Sequence, residues 1–345
     1  MTAPAACPPA PFRHLLRMTD DIGLLEHAKG TVPRYEHGYC VDDVARGLVV
    51  VCREPDPGVA GLEPVARRYY RFLARAQAVD GTFRNRLGYD RRWQDEPGNH
   101  DHWGRALWGL GTAASRGSAA DLRCESMALF SRGTRARSPW PHAMAFAALG
   151  AAEVLDAAPG HAGARALLAD AVTVIGEPPQ DADWPWPAPR LSYANAALAE
   201  AVIIAGAYLG RDAVLRRGLA MLDWLLSVET SASGGHLSVT PAGGWSAGEP
   251  RPAFDQQPIE VAALADACAR AAVVTGESSW LAPVQQCVAW FLGGNDQRTP
   301  LLDEASGGGC DGLTADGRNI NQGAESTIAM ISVLQHGRRL AAAAR

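Results

Sequence analysis

Long apolar segments with helical periodicity recur along this chain, and they alternate between two kinds. One kind is amphipathic and Arg-decorated: residues 63–77, 164–176, 212–227 and 280–294, with HLLRMTDD (14–21) and the weaker 121–136 completing the set. The other kind loses almost all charge after its first turn: 41–52, 102–114, 142–155, 193–208, 258–274 and 323–334. A helix apolar on most sides is buried, whereas an amphipathic one lies outside. Six helices of each kind, interleaved, predict an all-α (α/α)6 toroid with six parallel inner helices. Convincing alternating strands are scarce; HLSVT (236–240) reads as a small hairpin arm in a loop. No linker interrupts the pattern, so one domain is expected over 13–345, after a flexible Pro-rich tail over 1–12.

The polar residues of each inner helix gather at its N-terminal side. The six starts read GYCVDDVAR, EPGNHDHWGR, SPWPHAMAF, WPWPAPRLSYANAA, PAFDQQPIEVA and GRNINQGAEST. A helical solenoid also repeats helix pairs, but it does not require polar and aromatic groups at one end of every second helix. Parallel inner helices would bring these six starts into a single funnel.

Asp42-Asp43-Val44-Ala45-Arg46 aligns with Asp101-His102-Trp103-Gly104-Arg105 as D-[DH]-x-small-R. Within each motif the first Asp and the Arg are four apart and share a helical face. Aspartates at a helix start also cap free N–H groups, so capping and substrate contact both remain open for Asp42, Asp43 and Asp101. Glu325 enters an otherwise apolar helix, where a lone carboxyl is costly unless paired and has the raised pKa that a general acid needs. A core Glu satisfied by neighbouring amides is the alternative. Further substrate-facing candidates are Arg46, His102, Arg105, Trp184, Trp186, Tyr193, Asn195, Asp255, Gln256, Glu260, Asn321 and Gln322. Tyr39, Trp93, Trp103, Trp140 and Trp245 add aromatic faces to the same loops, and such faces beside carboxylates and amides suit sugar rings.

The net charge of −5 and a sequence pI of about 6.0 argue against nucleic acid as a main partner, which usually leaves a basic footprint. No apolar run reaches membrane-spanning length. Seven scattered cysteines form neither a CxxC pair nor a disulfide framework, which fits reduced thiols in a cytoplasmic protein. Lys29 is the only lysine, so Schiff-base chemistry would have to use it. No cofactor motif is present, and no metal site is expected: the ligand types in Asn99-His100-Asp101-His102 splay apart as neighbours on a helix.

HLLRMTDDIGLLEHAKGTVPRYEHGYCVDDVARGL and GRNINQGAESTIA resemble two signatures of a bacterial family of glycosidase-like (α/α)6 proteins, within the six-hairpin glycosidase superfamily. The resemblance spans about residues 14–335. Val44 stands where that family often has Asn. The resemblance implies a carbohydrate substrate and, because some members are fused to glycosyltransferases, a functional association with such an enzyme. An inverting glycoside hydrolase using Asp43 or Asp101 with Glu325 is expected first. A sugar epimerase or isomerase using histidines among His27, His37, His100, His102 and His142 is the alternative, and a non-catalytic glycan-binding accessory is a third. Terpene-cyclase chemistry is not expected, because Cys40-Val41-Asp42-Asp43 lacks the first Asp of DxDD, and Arg46 occupies the last position of DDxxD.

Overall fold

A computed structural model describes residues 7–54, 61–181, 183–231 and 235–343. Its twelve helices follow the predicted alternation. The inner set comprises α2 (Val41–Arg53), α4 (Asp101–Arg116), α6 (Pro141–Ala157), α8 (Ala196–Leu209), α10 (Pro258–Thr275) and α12 (Ala324–Ala343). The outer set comprises α1 (Arg13–Arg17), α3 (Leu62–Ala76), α5 (Ala120–Gly133), α7 (Ala162–Ile175), α9 (Asp212–Glu229) and α11 (Leu281–Phe291). Each inner helix packs on the next in chain order, and α12 returns to α2, so the ring closes. The outer helices back them in turn, from α3 against α2 round to α1 against α12. The expected (α/α)6 toroid is the observed fold.

The inner helices are buried nearly all round, as in the run Ala196–Gly206 of α8. Their small residues allow close approach. A Cβ on Gly150 of α6 would lie 2.2 Å from the Leu107 carbonyl oxygen of α4, and one on Gly111 would lie 2.3 Å from the Gly150 carbonyl oxygen. Glycine therefore sets the α4–α6 spacing despite its poor helix propensity.

Some boundaries differ from expectation. The first outer helix stops at Arg17 instead of 21. Asp20 Oδ1 accepts the Ile22 and Gly23 N–H groups at 2.8 and 3.1 Å, and this Asx-type turn competes with helical pairing. The fourth inner helix begins at Ala196, leaving Tyr193 and Ala194 in the preceding loop, where Ala194 has φ +45°. The arm expected over 236–240 forms only an isolated bridge from Leu237 to Thr230. Short antiparallel pairs lie elsewhere in the loops, including Tyr39–Cys40 with Arg86–Leu87 and Gly312–Thr314 with Gly317–Asn319. Of the tail expected over 1–12, residues 1–6 lie outside the described residues. Phe12 is buried, and the Cys7 thiol donates to the Leu334 carbonyl at 3.5 Å. All seven cysteines are unpaired, and no described helix is long and apolar enough to cross a membrane.

Candidate active site

The N-terminal ends of all six inner helices meet at one mouth, where two adjoining hollows of about 370 Å³ each share Asp42. The first lies between α2 and α12 and is lined by Asp43, Arg46, Arg105, Gln257 and Glu325. The second lies between α2, α4 and α6 and is lined by Asp101, His102, Trp140, His142 and Tyr193.

None of the three first-turn aspartates caps its helix. The N-cap positions of α2 and α4 are Cys40 and His100, and neither helix has a side-chain cap bond. The carboxylates are spent on side chains instead. Asp42 accepts from Asn85 Nδ2 at 2.9 Å and from Arg105 Nη1 at 3.2 Å. Asp43 accepts from Arg46 Nη2 at 2.5 Å and from the Cys40 thiol at 3.1 Å. Arg46 also donates through Nη1 to Glu325 Oε2 at 2.8 Å. The four-residue Asp–Arg spacing within each motif therefore does not make a side-chain pair: Arg46 returns only to the Asp42 carbonyl, and Arg105 crosses to the neighbouring helix. Asp101 receives the Tyr193 hydroxyl at 2.5 Å.

These settings separate the carboxyl groups electrostatically. Burial pushes Asp43 up to about 6 against the opposing pull of Arg46. Burial acts in the same direction on Glu325, but Arg46 and Arg105 outweigh it and hold that carboxyl below its usual range. The sequence expected a raised Glu325; the two guanidiniums reverse the direction. The Glu325 side chain is 41% exposed, against 4% for Asp43. Glu325 thus presents an ionised edge to the funnel, while Asp43 sits behind Arg46 and fixes it. Burial lowers the His142 imidazole. Burial, reinforced by Asp101, raises the Tyr193 phenol.

Tyr193 stacks on His142 with ring centroids 4.3 Å apart, and Trp140 lies over His100 at 6.1 Å. Trp140 and Tyr193 are exposed aromatic faces, 52% and 40%. Trp184 and Trp186 do not share that role. They are buried at 6% and 1% exposure and pack against Trp224, with Trp184 Nε1 donating to the Ala188 carbonyl. Hydrophobic packing beneath the loop claims them.

Several polar candidates are engaged in hydrogen bonds within the protein or lie outside both hollows. Glu260 accepts from the Asn195 backbone N–H and side-chain amide at 3.2 and 3.0 Å and from the Ala194 N–H, which pins the start of α8. Gln256 is fully buried and donates to Asp296 Oδ2 at 2.5 Å. Gln322 bonds Ser306 and Asp303. Asn321 Oδ1 accepts the Gly30 N–H at 2.9 Å. Asp255 is exposed and lines neither hollow. His102 does line the second hollow, but its Nε2 is committed to the Phe83 carbonyl at 2.9 Å.

Sequence reading missed Glu26, Asn85, Arg86 and Asp311, which reach the mouth from loops. The strand pair Tyr39–Cys40 with Arg86–Leu87 delivers Asn85 and Arg86 beside α2. Glu26, Cys40 and Asp43 have ligand-type atoms within 4.8 Å of one another. Each is already engaged, Glu26 with Arg86, Asp43 with Arg46 and Cys40 with Asp43.

No protein-family model and no curated relative matches the chain. Solved structures do. A cellobiose 2-epimerase from Bacillus thermoamylovorans superposes with TM-score 0.68 at 10% identity, covering 94% of this chain and 95% of that one. A sugar epimerase from a ruminal bacterium gives 0.67 at 12% identity, covering 95% of each chain. A GH76 α-mannanase from Bacteroides thetaiotaomicron gives 0.60 at 9% identity, covering 88% of each. The chain shares its (α/α)6 toroid with these structures over most of its length.

Proposed function

We propose that the protein is an inverting glycoside hydrolase whose substrate lies across Asp42 in the shared mouth. One observation carries this reading: Glu325 and Asp101 present carboxylate edges on α12 and α4, on either side of α2. In an inverting enzyme two carboxyl groups stand about 6.5–9.5 Å apart to admit a water. Glu325, kept ionised by Arg46 and Arg105, acts as the base that activates water. Asp101 protonates the leaving oxygen, with Tyr193 steering its second oxygen. Asp42 orients sugar hydroxyls, and Trp140 and Tyr193 offer ring faces. Asp43 is a positioning residue for Arg46.

The test is an oligosaccharide panel, mannose-containing glycans included, followed by NMR of the product anomer. E325Q and D101N should each lower kcat by about 10²–10⁴, the usual contribution of a positioned acid or base. Full activity in both variants on an identified substrate sinks the assignment.

A second reading, a sugar epimerase or isomerase, draws on His142. Its Nε2 is buried without a hydrogen-bond partner in the hollow that contains Asp101. The similarity to epimerase structures supports it as well. A rearranged sugar without hydrolysis, lost in H142N, would select this reading over the first.

A further inference from the structure

The opposite end of the barrel contains a cavity of about 720 Å³, where the C-terminal ends of the inner helices converge. Its floor is a buried ionic network. Arg53 spans Asp266 at 2.5 Å and Glu153 at 3.5 Å, Arg116 holds Glu153 at 2.7 Å, and His336 holds Asp266 at 2.7 Å.

Two groups facing this cavity, Glu200 and Arg339, are not satisfied by that network, and a third, Arg270, meets its carboxylates only at long range. Glu200 is 97% buried by its 3% exposure, and its Oε2 has no hydrogen-bond partner. Arg270 stands 3.8 Å from Glu200 and 4.0 Å from Asp156, beyond hydrogen-bond reach. Arg339 donates to the Arg53 carbonyl at 2.9 Å and has no carboxylate within ion-pair distance among the described residues. Burial, with the neighbouring Arg53 and Arg116, pulls the Arg339 guanidinium down to about 10 against the opposing pull of Asp266 and Glu153. A buried carboxyl oxygen without a partner is costly, and a built site is one way such a cost is retained.

We propose that this mouth is a second binding site, for a small anionic polyol such as a sugar phosphate or a sugar carboxylate. The anion lies between Arg270 and Arg339, which offer fork-shaped donors, and the sugar lies in the mouth above Glu200. The phosphate and carboxylate forms share this chemistry, and the test separates them. The site is distinct from the funnel and does not depend on what reaction the funnel performs.

The experiment is calorimetric titration of the full chain with glucose 6-phosphate, glucuronate, glucose and inorganic phosphate. Saturable binding of either of the first two, tighter than glucose and phosphate alone, is expected. R270Q and R339Q should each weaken it about tenfold, with R339K recovering part of the loss. Val273 is 78% exposed at the rim, so V273E tests charge at the mouth without disturbing the network, and it too should weaken binding. E325Q should leave binding unchanged. The proposal falls if neither sugar anion binds by about 10 mM. It also falls if the three mouth variants bind as the parent does, if E325Q abolishes binding, or if the sugar adds nothing to the affinity of phosphate.

Discussion

Arg105 of α4 reaches across the mouth to Asp42 of α2 at 3.2 Å, so the arginine of the second D-[DH]-x-small-R motif pairs with the first aspartate of the other motif. The contact ties the second inner helix to the first at the point both hollows share. A double-mutant cycle on D42N and R105Q should give a coupling energy of about 1.5–3 kcal/mol in denaturant unfolding, the range for hydrogen bonds to charged groups. Additive effects would show that the pair is incidental.

Arg46 serves two carboxylates, one of them deeply buried. R46M strands Asp43 and should cost about 3–5 kcal/mol, as removal of one partner of a buried pair does. D43N combined with R46M should recover part of that loss. Urea midpoints at pH 7 check both, and a loss under about 1 kcal/mol in R46M would contradict the account.

Glu229 is buried, accepts the Thr240 N–H at 2.6 Å and its hydroxyl at 2.5 Å, and is pushed up to about 7 by burial. Its folded pKa lies above the ordinary glutamate value of 4.5, so the native state holds the extra proton. Its stabilising contribution is full below about 4.5 and is lost as pH rises towards 7, by at most about 1.4 kcal/mol per pH unit. E229Q should flatten that segment of the stability profile. An unchanged slope between about pH 5 and 7 would mean that other groups dominate it.

Gly150→Ala sets helix propensity against packing. Propensity alone favours alanine by about 1 kcal/mol. The added Cβ would meet the Leu107 carbonyl oxygen at 2.2 Å, and backbone cannot yield cheaply. A net loss of about 1–3 kcal/mol is expected from overpacking, measured as a lower thermal midpoint.

The toroid was legible because burial on all sides leaves its mark in each helix's own sequence, so α8 and α10 are recognisable from composition alone. The mouth was legible in part for a related reason: residues at the starts of parallel inner helices must converge. Asp42, Asp43, Asp101, Tyr193 and Glu325 are found there. What a loop does with its polar and aromatic residues is not written locally. Gln256 and Gln322 look like ligand-binding amides until their internal partners are seen, and Trp184 and Trp186 look like sugar platforms until Trp224 covers them. Glu26 and Asn85 carry no positional signal, because a loop residue reaches the mouth only through tertiary pairing such as that of Cys40 with Arg86.

The ring closes where α12 meets α2, and Arg46 and Glu325 form their ion pair across that seam, 279 residues apart in the chain. During synthesis the guanidinium emerges early and has Asp43 for company, but its second carboxylate arrives only with the last inner helix. The funnel's charge balance is therefore a late event, tied to completion of the circle.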